Sequence, residues 1–245
     1  MLKIKEKVQF SKDDNRMQSI ADTKIARERY YSGKSNNVKY LLRKRFSWMN
    51  DFIKEDDQGI EVGSGAGFSK DFIKNKNFKL TDLGNESHLD HKNIDAQNTG
   101  FESNSLDYVI ASNMIHHIPY PIKFFKEVNR ILKKGGRLII FESYCSIFFQ
   151  LATIIMKHEG FDFTLNVWDE KTPKSDETNA WHGNIAVPHL IFDDKSKFKK
   201  NIGNIFEIKY EKLTECLIFI NSGGVTSKTV CIPMNNFFLN ILNFI

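Results

Sequence analysis

Apolar and polar positions change their period several times along the chain. Residues 1 to about 20 are polar with little periodicity, which predicts a mobile arm. Residues 20–31 suit a short helix. Ser35-Asn36-Asn37 can cap a second, in which Val38, Leu41, Leu42, Phe46, Met49, Phe52 and Ile53 recur at helical spacing. From residue 59 short apolar runs alternate with helical patterns: strands at 59–62, 78–82, 106–111 and 137–141, and helices at 68–74 and 121–132, the last broken by Gly135-Gly136. Residues 92–95 are the best candidate for a further strand. Strands that alternate with helices imply a parallel sheet. The alternation is lost after Glu142. Residues 206–220 read as a long strand or a bent strand pair, Ser222-Gly223-Gly224 as a turn, and residues 235–245 as an apolar helix.

Bulk numbers narrow the class without naming a chemistry. The chain has 245 residues, 41% of them hydrophobic and 27% charged, which is ordinary for one sizeable soluble α/β domain with additions. The net charge of +5 comes from scattered lysines, so a solvated surface is expected rather than a nucleic-acid face. Cys145, Cys216 and Cys231 are odd in number and widely spaced, which disfavours a disulfide framework or a structural zinc site and fits a reducing cytoplasm. The longest apolar runs, 147–156 and 237–245, are too short to span a bilayer.

Candidate chemistry begins at Gly59-Ile60-Glu61-Val62-Gly63-Ser64-Gly65-Ala66-Gly67-Phe68. Three glycines at alternate positions let a backbone turn tightly against a ligand. The dinucleotide fingerprint G-x-G-x-x-G would need glycine at position 68, where this chain has Phe68. In open α/β sheets ligands bind beyond the carboxyl ends of the strands. The residues there are Glu61 and the glycines, then Asp82-Leu83, then Asp95-Ala96, then Ser112-Asn113-Met114-Ile115-His116-His117, then Glu142.

The stretch resembles the E/D-x-G-x-G-x-G loop of class I S-adenosylmethionine-dependent methyltransferases. Asp95-Ala96, the run from Phe101 to Asp107, His116-His117-Ile118 and Leu132-Lys133-Lys134-Gly135-Gly136 look like the successive motifs of the type 11 small-molecule methyltransferases. Two positions depart from that pattern: Lys134 stands where the family has proline, and Gln97-Asn98-Thr99-Gly100 lacks the usual Leu-Pro. The resemblance covers about residues 43–143. It implies S-adenosylmethionine as cofactor and a Rossmann-like, doubly wound, mostly parallel seven-stranded sheet, with N-terminal helices and an inserted acceptor-side lid. It implies cofactor contacts from Glu61, Gly63, Ser64, Gly65, Gly67, Asp82, Leu83, Asp95, Ala96 and Asn113. Glu61 is expected near the methionine amino group, Asp82 at the ribose, Asp95 and Ala96 at the adenine, and Asn113 beside the methionine moiety.

The expected organisation is an arm and helix over 1–35, a cofactor-binding core over 36–142, an acceptor-side lid over 143–205 and closing strands with an apolar helix over 206–245. His117, and after it His116, are the candidate general bases for a hydroxyl acceptor, because a histidine near neutral pKa suits proton removal. His158, Glu159, Asp162 and His182 have the chemistry of metal ligands, but their spacing fits no ligand pattern, and no metal is expected. The expected partner is a small-molecule or glycan- or lipid-linked acceptor. RNA is disfavoured because Ser112-Asn113-Met114-Ile115 is not an N-P-P-Y type of loop. An exposed Phe237, Phe238, Leu242, Phe244 and Ile245 would point to a homodimer or a membrane-surface contact.

Overall fold

The computed structural model describes residues 2–11, 13–14, 22–32, 36–157, 159–215, 219–222, 225 and 232–244. In chain order the regular elements are β1 (Lys7–Val8), α1 (Thr23–Tyr31), α2 (Asn36–Ser47), β2 (Gly59–Val62), β3 (Phe78–Thr81), β4 (Leu106–Ser112), α3 (Pro121–Ile131), β5 (Leu132–Phe141), α4 (Ile147–Met156), β6 (Phe161–Asp162), α5 (Val187–Phe192), α6 (Lys195–Ile202) and α7 (Asn236–Phe244). Short 3-10 turns lie at Trp48–Phe52, Phe68–Asp71, Ile115–His117 and Ile220–Ser222.

The central sheet has four parallel strands in the order β3-β2-β4-β5. Its strands are covered on both faces. Along β4, Tyr108 and Ile110 pack with Phe78, Leu80 and the buried side of α1 and α2, including Tyr30, Leu42 and Phe46. The alternate residues Val109 and Ala111 pack with Ile122, Phe125 and Val128 of α3 on the opposite face. Period-two alternation between two apolar layers is what a doubly covered parallel strand requires. β3 lies on one side of β2 and β4 on the other, so the loops after β2 and β4 leave in opposite directions and form the switch point where such sheets bind ligands.

Gly59 starts β2 directly opposite Tyr108, and a Cβ there would fall 2.1 Å from the Tyr108 ring. Tyr108 itself is fully buried. Gly59→Ala is therefore expected to cost about 1–3 kcal/mol through overpacking. A lowered urea midpoint at unchanged slope is the measurement that checks it.

Several expectations are corrected here. The sheet has four strands among the described residues, not seven. Of residues 92–95 only Asp95 makes an isolated bridge, with Asn98, while Thr81 bridges His91 just before them, because the short stretch between β3 and β4 spends its polar groups on local turns. The helix expected over 68–74 is the single turn Phe68–Asp71. Residues 206–215 have no strand. Their alternation is real: Phe206 and Ile208 pack on the core and Tyr210 meets Trp48 and Phe52, but the backbone runs along the surface without a ladder partner. Gly223-Gly224 of the expected turn lie outside the described residues, as do Cys216 and Cys231.

The described part of the expected arm is tied to the rest of the chain. Lys7–Val8 pairs antiparallel with Phe161–Asp162, and the Ile4 amide donates to the Gln150 side chain of α4 at 3.0 Å. Phe237 and Phe238 are exposed as expected, whereas Leu242 packs partly against a cluster of Tyr40, Leu41 and Leu239. The Phe244 side chain and Ile245 lie outside the described residues. No helix among those residues is long and apolar enough to cross a membrane.

Candidate functional site at the carboxyl ends of the strands

Gly63, Gly65 and Gly67 have φ of 66°, 51° and 68°, the left-handed region that favours glycine. The loop they form is held from several sides. The Gly65 amide donates to Asp82 Oδ2 at 2.8 Å, and the Ser64 amide and hydroxyl both donate to the Thr81 carbonyl. A Cβ on Gly63 would fall 2.9 Å from Met114 Cβ, so the loops after β2 and β4 touch at the switch point. A Cβ on Gly65 would meet nothing within 4 Å. The middle of the loop faces open space, which is the cradle a ligand needs.

Asp82 sits at the end of β3 and ties two loops together, since its other oxygen accepts from the Gly84 amide at 2.9 Å. Leu83 beside it is 56% exposed, an apolar surface left at the rim. The Asp82 carbonyl accepts from the Ile94 amide, which brings Asp95 and Ala96 alongside. Asp95 Oδ1 accepts from the backbone and side-chain nitrogens of Gln97, and Ala96 is buried. Asn113, at φ 51°, donates its amide to the Phe141 carbonyl at the end of β5. Gly63–Gly67, Asp82, Leu83, Asp95, Ala96 and Asn113 thus share one end of the sheet.

Glu61 differs from that group. It is 2% exposed, and Oε2 accepts from the Ser69 hydroxyl in the turn after the glycines. Burial pushes its pKa up to about 8, against the hydrogen bonds from Ser69 and Ser64 that favour the charged form. It therefore carries a proton at neutral pH and braces the loop from beneath. The sign for stability follows. Between the ordinary carboxyl value and about 8 the folded chain keeps a proton that the unfolded chain has released, so stability falls as pH rises through that window and levels off above it. Glu61→Gln, which keeps an acceptor for Ser69, should flatten this decline. Urea denaturation at pH 5, 7 and 9 checks it, and an unchanged slope in the variant refutes it.

His116 and His117 stand on the turn after β4, with ring centroids 4.2 Å apart. His116 Nδ1 is 2.7 Å from Glu142 Oε2, and its Nε2 is 3.4 Å from Glu159 Oε2. His117 Nε2 is 3.4 Å from Glu159 Oε1, and its Nδ1 is buried without a hydrogen-bond partner. The two rings do not share the near-neutral pKa expected of them. Burial opposes the charged form of His116, but Glu142 and Glu159 outweigh it and hold the ring at about 10. Burial and the charge on His116 push His117 down to about 4. At neutral pH His116 is the imidazolium and His117 the neutral ring.

The segment after β5 seals this cluster. The Asn184 amide donates to the His116 carbonyl, the Ser175 hydroxyl to the His117 carbonyl and the Lys174 amide to the Pro119 carbonyl. A Cβ on Gly183 would lie 3.0 Å from both Glu159 and His116. A cleft of 260 Å³ opens beside it, lined by Phe10, Ser175, His182, Gly183 and Asn184 among others, and no glycine-loop residue borders it. The His pair is packed beneath this segment, and the cleft beside it is separate from the glycine loop. Of the expected metal-type residues, Glu159 joins this cluster. Asp162 is paired with Lys7 instead, and His158 lies outside the described residues.

Sequence reading missed two supports of the glycine loop. Arg27 Nη1 of α1 donates to the Ala66 carbonyl at 2.6 Å, and a His88 ring nitrogen lies 2.8 Å from the Gly65 carbonyl. Neither residue carries a pattern that could have flagged it.

The segment that holds these features, residues 60–140, matches the methyltransferase-domain family. The match covers about a third of the chain and supports a methyltransferase-type domain of the class I S-adenosylmethionine-dependent kind. The domain is similar to a demethylmenaquinone methyltransferase of Staphylococcus haemolyticus (strain JCSC1435), 30% identical over 140 residues, which are 56% of this chain and 54% of that protein. It is also similar to a phosphatidylethanolamine N-methyltransferase of Cereibacter sphaeroides, 22% identical over 132 residues, 54% of this chain and 58% of that one. The chain spans about half the length of the curated relatives it matches. Among solved structures, a protein from Pyrococcus horikoshii OT3 aligns with a TM-score of 0.37 at 21% identity, over 45% of this chain and 57% of that chain.

Proposed function

We propose that the chain transfers a methyl group from S-adenosylmethionine to a hydroxyl or amine of a small-molecule or glycan- or lipid-linked acceptor. The observation that carries this reading is the open cradle at Gly65, flanked by Asp82 and backed by the loop after β4. The residues present fit the cofactor: a glycine backbone free to approach it, a carboxylate at the end of the neighbouring strand, the exposed face of Leu83, and Asp95-Ala96 alongside. In this reading Gly63, Ser64, Gly65 and Gly67 receive the amino-acid part, Asp82 the ribose, Leu83 with Asp95 and Ala96 the adenine, and Asn113 the junction between them. Glu61 supports the loop from below. When bound, the cofactor supplies an electrophilic sulfonium methyl, so the protein's task is alignment and exclusion of water.

The relatives named for a quinone and a phospholipid support an acceptor with a lipid-like body. His117, neutral and 18% exposed at its side chain, orients an acceptor's oxygen rather than taking its proton, since a ring held at about 4 is a weak base at neutral pH. His116, already charged, positions it. The segment 143–205 covers the acceptor as a lid. Isothermal calorimetry of the full chain with S-adenosylmethionine tests the cofactor reading, and absence of heat at millimolar cofactor refutes it. Incubation with methyl-labelled cofactor and fractionated lipid, glycan and small-molecule extracts then identifies the acceptor class.

A further inference from the structure

We infer that His116, His117 and Glu159 form a site for a divalent transition-metal ion, Zn²⁺ by its ligand set, with Glu142 as the carboxylate that orients His116. The ligand atoms of the three residues lie within 4.8 Å of one another. Each histidine turns Nε2 toward Glu159, at 3.4 Å in both cases. That separation is too long for a strong hydrogen bond. The contacts reach different oxygens, Oε2 from His116 and Oε1 from His117, and each is close to the ligand–ligand spacing around a zinc ion roughly 2.1 Å from its ligands.

Two further observations point the same way. Metal-binding histidines commonly give their other ring nitrogen to a carboxylate, and His116 Nδ1 lies 2.7 Å from Glu142 Oε2. His117 Nε2 faces Glu159 Oε1 only at the long distance of 3.4 Å, a separation at which an ion fits between them. The cation takes the place of the Nε2 proton of His116, at a point where the surrounding carboxylates already favour positive charge.

Two imidazoles and one carboxylate leave the fourth tetrahedral position open, as catalytic rather than structural zinc sites do. The side chains of His116 and Glu159 are almost wholly buried, while that of His117 is 18% exposed, so the open position lies toward His117. The ligand class that fits it is an oxygen: a hydroxyl, enol or phenol of the acceptor, or water in its absence. This part of the inference rests on the methyl-transfer reading. Metal binding itself does not.

The test uses the full chain stripped with chelator and then titrated with Zn²⁺ by calorimetry and with Co²⁺ by visible absorption. One equivalent of Zn²⁺ and the intense visible bands of tetrahedral Co²⁺ are expected. His117→Gln and Glu159→Gln should each abolish the Co²⁺ bands, and Glu142→Gln should weaken affinity by about 10–100-fold. Thermal melting of the same variants reports whether they still fold. Gly65→Arg should lose the cofactor and keep the metal, so failure of the cofactor reading and failure of the metal site are separable. No uptake by the wild type, or uptake that survives in the folded His117→Gln/Glu159→Gln double variant, overturns the proposal.

Discussion

Replacing Gly65 with arginine should remove measurable S-adenosylmethionine binding, a loss of at least about 100-fold, while leaving the fold intact. A non-glycine residue at φ 51° carries a left-handed backbone penalty of about 1–2 kcal/mol. The new side chain meets no protein atom near its Cβ, so no core is disturbed. The Gly65 amide can still donate to Asp82, because that bond belongs to the backbone. The guanidinium instead fills the space proposed for the cofactor. Gly65→Ala adds one methyl in the same conformation and should fall between wild type and arginine. Calorimetry measures the affinity and thermal melting the fold. An arginine variant that binds at wild-type affinity would place the cofactor elsewhere.

Glu215→Leu or Arg45→Met, each alone, should destabilise the chain by about 3–5 kcal/mol. Arg45 leaves α2 with its side chain 8% exposed and meets Glu215, 5% exposed, at 2.9 Å, with a second contact at 3.4 Å. Its guanidinium also lies 4.7 Å over the Phe141 ring at the end of β5. Removing one partner strands a buried charge, and that penalty exceeds the net worth of the pair. The double variant Arg45→Met with Glu215→Leu should recover much of the loss, since two apolar groups leave no charge unmet. Urea denaturation of the four chains gives the coupling. Single variants with wild-type midpoints would show that water reaches the pair.

The outline of the site was legible in the sequence because its parts depend on local backbone chemistry. Three glycines in left-handed conformation, a carboxylate closing β3 and the polar loop after β4 can each be recognised from neighbours a few residues away. The strand over 106–111 was legible for the same reason. What was hidden depended on contacts between distant residues. Arg27 and His88 reach the glycine loop only through the fold. The histidine pair was visible, but its opposite pKa shifts come from Glu142 and Glu159, which join it from separate segments. Residues 206–215 misled because an alternating pattern reports which side chains are covered, and it does not report whether the backbone has a neighbour to bond.

The pairing of Lys7–Val8 with Phe161–Asp162 also bears on how the chain is made. These two segments lie about 150 residues apart, so at ordinary translation rates the first waits about 8–30 s for the second to be synthesised. Through that interval Val8 and the edge of its strand have no partner. The fragment with the glycine loop and the central sheet can condense meanwhile, and the N-terminal segment joins only once the region around β6 has left the ribosome. Its attachment is thus a late event in biogenesis, and the cleft it borders is closed on that side last.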